Sequence, residues 1–195
     1  MTDAVQDCGR AVDVVGPVVA QVTAVDLDRP TPCAQWDVRA LVEHLIWMCD
    51  VFAAGLGGAD PPAAPVPLGD DDPMARYAAS SAAALLGWQT TEWADMMLAL
   101  PFSTLPAAIG VRVFVGDQLI HGWDLATALG RTFVMPADLA EAQLEMMRQY
   151  YDPANRSPEA AFSLATDCPP DASAQDQLIA LSGRAPGVGL GPSGR

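Results

Sequence analysis

The two histidines of the chain, His44 and His121, are the residues best suited to bind a metal ion. Imidazole nitrogens are ligands for zinc and for several other divalent metals. Asp117 lies four residues before His121, so on a helix the two side chains share a face and can chelate one ion. This spacing alone is weak, because a simple ion pair gives the same pattern. His44, on another predicted helix, would complete a three-ligand site with open positions.

Asp124 complicates the choice of carboxylate ligand. It lies three residues after His121 and shares its helical face. It is either a rival ligand or a residue that orients His121 through the second ring nitrogen. The residues alone rank Asp117 above Asp124 and leave both open. Three tryptophans are candidates for the walls of a pocket beside the metal, although packing in the core is the commoner role of such residues: Trp36, Trp47 and Trp123.

The hydrophobic pattern predicts the helices that position these side chains. Helical periodicity covers about 2–25, the segment from Asp37 to Gly55, and about 73–98, 106–129 and 137–149. Gly16-Pro17 predicts a kink or a break in the first helix. Asp37 is expected to cap the second helix, and Gly130 to end the fourth. Short extended stretches near 100–102 and 161–165, and a short helix at about 174–182, complete the prediction.

These elements predict an all-α protein, an up-and-down four-helix bundle with short C-terminal additions. We place the helical domain at residues 1–184 and a flexible tail, rich in Gly and Pro, at 185–195. The loop at 59–72, rich in Pro, Gly and Asp, is the segment of the domain most expected to be disordered.

The charge balance restricts the classes of partner. The chain of 195 residues has 24 acidic and 10 basic residues, for a net charge of −14. Such a charge disfavours nucleic acids and anionic membrane surfaces. No signal peptide or apolar run of ~18 residues is found, so we expect a cytoplasmic protein without a membrane span. The four cysteines form no C-x-x-C pair and are expected as reduced thiols. The apolar bundle surface is compatible with a homodimer.

Two segments resemble the signatures of a known family. They are TPCAQWDVRALVEHL (31–45) and DQLIHGWDLATALG (117–130). The first matches through Trp36, Val38, Leu41 and His44, and the second through Asp117, His121, Trp123, Asp124 and Leu125. They are similar to the actinobacterial metal-binding family related to the N-terminal domain of mycothiol-dependent maleylpyruvate isomerase, in the DinB-like superfamily. LPFSTLPA and QDQLIALSGRAP, later in the chain, are also similar to the shorter members.

The resemblance implies a divalent metal, usually zinc with nickel, iron or manganese as alternatives, bound by His44, Asp117 and His121. The carboxylate in the isomerase is a Glu, and here it is the shorter Asp117. The leading interpretation is an enzyme that uses a small thiol such as mycothiol in a transferase or isomerase reaction on a small electrophile. The alternative is a non-catalytic metal-binding or sensor module with a structural metal. Only about sixty residues follow the fourth predicted helix, so a full isomerase is not expected.

Overall fold

The computed structural model describes residues 2–34, 36–157 and 162–187. Over these residues the chain folds into α-helices and one antiparallel hairpin, and the predicted all-α four-helix bundle with C-terminal additions is confirmed. The helices are α1 (Thr2–Val19), α2 (Val38–Leu56), α3 (Pro73–Thr90), α4 (Ala107–Ala128), α5 (Ala137–Tyr150) and α6 (Ala174–Leu181). The strands are β1 (Met97–Leu100) and β2 (Ser103–Pro106), and a 3-10 turn covers Pro153–Asn155.

The packing of the helices makes α2 and α4 neighbours. α1 packs against α3 and α4, and α2 packs against the same two helices, so α1 and α2 lie across the bundle from each other. α4 is buried along nearly its whole length. α5 and α6 pack together, and α5 contacts α4. The two helices that carry the histidines therefore face each other inside the bundle.

The predicted start of α2 and the predicted end of α4, the two helices that carry the histidines, agree with the structure. The Asp37 side chain accepts a hydrogen bond from the Ala40 N–H and caps α2. α4 ends at Ala128, and Gly130 follows with φ +68°, a left-handed conformation that glycine adopts without strain. α1 includes Pro17 in its last turn and ends at Val19. The helix runs past Gly16-Pro17 without a break, since the Ala20 N–H donates to the Gly16 carbonyl at 2.9 Å, and its predicted extension to residue 25 is wrong.

The prediction for α3 is wrong at its C-terminal end. The helix stops at Thr90, and residues 97–106 form the β1–β2 hairpin instead. Leu98 and Leu100 are buried, and both approach Gly55 of α2. The free energy gained by burying these two leucines outweighs the helical preference that the sequence pattern indicates. The expected strand at 161–165 is not formed over residues 162–165, and Ala161 lies outside the described part of the chain.

The loop at 59–72 has no regular structure but is anchored to α2, contrary to the expectation of disorder. The Leu68 N–H donates to Glu43 Oε1 at 2.6 Å, and the Leu68 side chain is buried. Trp47 Nε1 donates to the Pro62 carbonyl at 2.8 Å. The two bonds hold the loop over the half of α2 that carries His44.

Three further expectations concern the tail, membrane spans and the cysteines. Residues 188–195 of the predicted tail lie outside the described residues. Within the described ranges, no helix has the length and hydrophobicity that a membrane span requires. All four cysteines are free thiols.

Candidate metal centre

The three residues predicted as ligands lie together between α2 and α4. His44 Nε2 is 2.9 Å from Asp117 Oδ1, and His121 Nε2 is 3.7 Å from the same oxygen. One ligand atom from each residue can be chosen so that all three lie within 4.8 Å of one another. The side chains are 12%, 10% and 1% exposed for His44, Asp117 and His121. Two imidazoles and one carboxylate form a donor set typical of zinc and iron sites.

Two atoms of this cluster lack hydrogen-bond partners. Asp117 Oδ2 and His121 Nε2 are buried, and no described residue offers either one a donor or an acceptor. A buried polar atom without a partner is costly, about 1–3 kcal/mol. A cation between the three side chains would satisfy both atoms, so the residues present fit a divalent metal. His44 Nε2 and Asp117 Oδ1 also lie within hydrogen-bond distance of each other, at 2.9 Å.

Asp124 points away from this cluster and contacts the far side of His121. Its Oδ2 is 2.9 Å from His121 Nδ1. Arg184, which follows α6, donates to both of its oxygens, from Nε at 3.1 Å and from Nη2 at 2.8 Å. Both carboxylate oxygens are therefore engaged, and the geometry matches a residue that orients a ligand rather than one that binds the ion.

This arrangement sets the proton on His121. Asp124 is an acceptor, so His121 carries its proton on Nδ1 and leaves the Nε2 lone pair toward Asp117. Burial lowers the pKa of His121 below its usual 6.5, against the opposing effects of Asp124 and Asp117. A neutral imidazole with a free Nε2 lone pair is the form that binds a metal.

The two aspartates stay ionised in their buried positions. Burial alone would raise the pKa of Asp117, but the charge and hydrogen bond of His44 hold it below 3.8. Burial opposes ionisation of Asp124 as well, and the hydrogen bond from His121 together with Arg184 keeps its pKa low. The site thus offers a carboxylate ligand and a second carboxylate that is already neutralised by Arg184.

Aromatic rings enclose the two histidines. The Trp36 ring lies 4.4 Å from His44 and 5.2 Å from His121, between ring centroids. Trp47 lies 5.7 Å from His44. Phe162 stacks on His121, with 5.9 Å between the ring centroids and an angle of 20° between the planes. Trp123 belongs to the hydrophobic core, and within the described part of the chain it makes no ring contact with either histidine.

The loop before α2 places Trp36. Thr31 Oγ1 donates to the Trp36 carbonyl at 2.7 Å, and an isolated bridge joins Pro30 to Asp37. The same loop carries Cys33, whose pKa is raised to about 11 by burial, against the opposing effect of Arg184. At neutral pH this cysteine is a protonated thiol and a poor nucleophile.

Arg184 and Phe162 contact the site although reasoning from the sequence did not select them. Arg184 is 4% exposed, and its guanidinium lies 5.2 Å from the Phe162 ring. The segment QDQLIALSGRAP contains Arg184, so the similarity of that segment to the family was the available signal. No comparable sequence signal marks Phe162.

Comparisons with known proteins identify relatives of the chain and of its fold. The family model described as the mycothiol maleylpyruvate isomerase N-terminal domain matches residues 8–126. Two uncharacterized proteins of Mycobacterium tuberculosis, from strains CDC 1551 / Oshkosh and ATCC 25618 / H37Rv, are each 30% identical over 176 residues, covering 90% of this chain and 94% of theirs. The crystal structure of the mycothiol-dependent maleylpyruvate isomerase superposes with a TM-score of 0.50 at 14% identity, covering 75% of this chain and 67% of that one. At that identity the superposition supports the fold alone.

Proposed function

Because the chain belongs to the family of the mycothiol maleylpyruvate isomerase N-terminal domain, we propose that it binds a divalent metal ion and acts on a small thiol such as mycothiol. The ligands in this proposal are His44 Nε2, His121 Nε2 and the Asp117 carboxylate. Zinc is the first candidate, followed by nickel, iron and manganese. The single observation that supports it most is the pair of buried, unpartnered atoms, Asp117 Oδ2 and His121 Nε2, between the three side chains.

The number of ligands supports an open site. Structural zinc sites are normally closed by four protein ligands, and catalytic sites keep three protein ligands and an open position. Within the described residues, the cluster of candidate ligands has three members. Asp124, the residue that could have been a fourth, is engaged by His121 and Arg184. The open position favours catalysis over the alternative of a structural metal in a sensor module.

The residues of this chain have distinct tasks in the proposed reaction. A bound cation would lower the pKa of a coordinated thiol and favour the thiolate at neutral pH. His121 is held in one tautomer by Asp124, so its Nε2 needs no proton transfer before it binds the ion. The rings of Trp36 and Phe162 lie 5.2 and 5.9 Å from the ring of His121 and would limit the access of water to it. The thiolate would form a carbon–sulfur bond to a small electrophile. In a transferase reaction a leaving group would depart with its electron pair, and in an isomerase reaction the carbon–sulfur bond would break again and release the thiolate.

The metal is tested first, by elemental analysis of the purified protein. Wild type is expected to contain about one divalent ion per chain, and His44→Ala almost none. Asp50→Ala is the matched control, because Asp50 lies on the same helix but is not one of the clustered ligands. Absence of metal from wild type, or full retention by His44→Ala, would contradict the proposed site.

The thiol is tested separately on metal-loaded protein. Mycothiol is titrated in by isothermal calorimetry, and the cobalt-substituted protein is followed by its absorption spectrum. Binding heat and a spectral shift are expected, since the thiol would enter the open coordination position. If the metal binds and mycothiol gives neither signal, the thiol function is wrong and the module with a structural metal takes its place.

A further inference from the structure

A cavity of about 230 Å³ lies beside α4 and reaches the metal centre. Asp117 forms part of its wall, and residues of α5 and α6 line it together with Arg156 and Phe162. Its lining is mostly apolar: Val113, Ile120, Met146, Met147, Phe162 and Leu178. Clefts with apolar walls and a few polar groups are the usual form of sites for small molecules. Phe162 joins the two sites, because it also stacks on His121.

The cavity contains an arginine that has no carboxylate partner among the described residues. Arg156 Nη1 is buried, and no described residue provides it with a hydrogen-bond acceptor. Over the described ranges, its Nη2 makes one hydrogen bond, to the sulfur of Met147 at 3.2 Å. The guanidinium lies 4.9 Å from the Tyr151 ring and 5.4 Å from the Phe162 ring, so it is held between aromatic faces. Arg10, Arg29, Arg76 and Arg184, in contrast, are each paired with an aspartate.

The charged residues around the cavity favour the binding of an anion, although the chain as a whole is acidic. The charged residues that line it are Arg112, Arg156 and Asp117. Under the proposed function Asp117 binds the metal, and its charge is offset by the cation. The two arginines then leave the cavity positive in a protein whose net charge is −14. A buried donor without an acceptor costs free energy that a bound anion would recover.

We propose that this cavity binds a small organic molecule with an apolar body and a single carboxylate group, and that Arg156 binds the carboxylate. The planar guanidinium can donate two parallel hydrogen bonds to one carboxylate group. The apolar walls suit the rest of the molecule, whereas a sugar-like or multiply charged ligand would leave polar groups without partners there. The inference rests on the proposed function in one respect, because it identifies this molecule as the electrophilic substrate whose other end lies near Asp117.

The probe for this site is hexanoate, compared with hexanamide, which has the same shape and no charge. Both are titrated into the full-length protein by calorimetry, first after treatment with a chelator and then with zinc added. In the metal-free protein the carboxylate has no cation to bind, so a preference for hexanoate reports on arginine. A charge-assisted hydrogen bond contributes about 1.5–3 kcal/mol, so we expect hexanamide to bind at least about tenfold more weakly than hexanoate.

Arg156→Met should weaken hexanoate binding to the level of hexanamide and leave hexanamide binding unchanged. Arg131→Met is the matched control, since it removes the same charge from an exposed position outside the cavity lining. Circular dichroism checks that both variants are folded. If Arg156→Met does not fold, the two probes are compared in Arg112→Met, which removes the other arginine of the lining. A preference for hexanoate that survives there supports Arg156, and its loss overturns the assignment.

The outcomes separate this inference from the proposed metal function. A preference for hexanoate that depends on Arg156 supports the carboxylate site, even if elemental analysis finds no metal. Equal binding of the two probes, no binding of hexanoate, or full hexanoate affinity in Arg156→Met overturns it, even if the metal is present. Equal losses in Arg156→Met and Arg131→Met also overturn it, because the effect would then come from net charge.

Discussion

Asp117 and Asp124 are both buried aspartates within one turn of His121, and their partners differ. Asp117 shares a cluster with His44 and His121 Nε2, and one of its oxygens has no partner among the described residues. Asp124 contacts His121 Nδ1 and is neutralised by Arg184. The first arrangement suits a metal ligand, and the second suits a residue that orients one.

The two aspartates should therefore respond differently to replacement by asparagine. We expect Asp117→Asn to lose the metal, because a charged ligand is removed. Asp124→Asn should keep it with an affinity lower by about 10–100-fold, the usual effect of losing a partner behind a histidine ligand. It should also lower the free energy of unfolding, by up to about 3–5 kcal/mol, since Arg184 loses its buried counterion.

Zinc affinity is measured by competition with a chromophoric chelator at a temperature where both variants are folded. The reverse result, in which Asp124→Asn loses the metal and Asp117→Asn retains it, would exchange the roles of the two residues. Similar losses in both variants would mean that Asp124 also binds the ion.

The sequence predicted that His44, Asp117 and His121 come together. It ranked Asp117 above Asp124 as the carboxylate ligand but left the choice open. Helical spacing placed Asp117 and Asp124 on the face of His121, which was sufficient to select both. The choice depends on Arg184, which lies 60 residues after Asp124 and reaches it only through the packing of the segment after α6. No periodicity within α4 contains that information.

At the scale of elements, the error in the predicted C-terminal end of α3 has the same cause, a contact that the local sequence pattern does not contain. Residues 91–98 continue an apolar pattern, but Leu98 is buried on the hairpin, where it approaches Gly55 and Gly110. This contact is long-range, so a local pattern cannot reveal it. The capping of α2 by Asp37 and the end of α4 before Gly130 are local, and both were predicted correctly.

The contact of α1 with α4 depends on Gly122. A Cβ atom at this position would lie 2.6 Å from Val15 Cγ2 and 3.0 Å from Phe133 Cζ. We expect Gly122→Ala to destabilise the protein by about 1–3 kcal/mol through overpacking, less the gain of up to about 1 kcal/mol in helix propensity. Val15 is β-branched and strongly prefers one rotamer in a helix, so it cannot easily move aside.

Gly9→Ala in α1 is the matched control, because a Cβ there would have no heavy atom within 4 Å. This variant should be as stable as wild type or more stable by up to about 1 kcal/mol. Urea denaturation measures both free energies. If Gly122→Ala is as stable as Gly9→Ala, the helices have room to separate and close packing at Gly122 is not required.

An ion pair between Arg10 and Asp138 joins α1 to α5. The guanidinium donates to both carboxylate oxygens, at 2.7 and 2.6 Å, and this hydrogen bonding lowers the pKa of Asp138 to about 2. Because the pKa is lower in the folded protein than the usual 3.8, the pair stabilises the fold above that value. The contribution is lost as the pH falls from about 4 to 2.

Asp138→Asn should therefore lower the urea midpoint slightly at pH 7 and have a much smaller effect at pH 2. Salt should reduce the difference at pH 7, since both side chains are exposed. A difference between the proteins that stays constant down to pH 2 would show that the effect comes from the amide itself and not from the lost ion pair.

At the scale of the whole molecule, the segment after α6 links the C-terminal additions to the metal centre. Arg184 bonds Asp124, its Nη1 donates to the Ser182 carbonyl at 2.7 Å, and its own carbonyl accepts a hydrogen bond from Thr166. The bundle therefore does not contain all the groups that fix His121. Some come from a part of the chain that follows the four helices.

Two truncations test how far the domain extends. A chain that ends at Pro186 retains Arg184 and should match the full chain in melting temperature and zinc affinity. A chain that ends at Ser182 leaves Asp124 as a buried charge without its arginine, which typically costs about 3–5 kcal/mol. Its melting temperature should fall clearly, and zinc binding should weaken because His121 is no longer oriented. Full-length Arg184→Met, assayed in parallel, should reproduce most of the loss. If the chain that ends at Ser182 behaves like wild type, Arg184 does not support the site and the domain ends with α6.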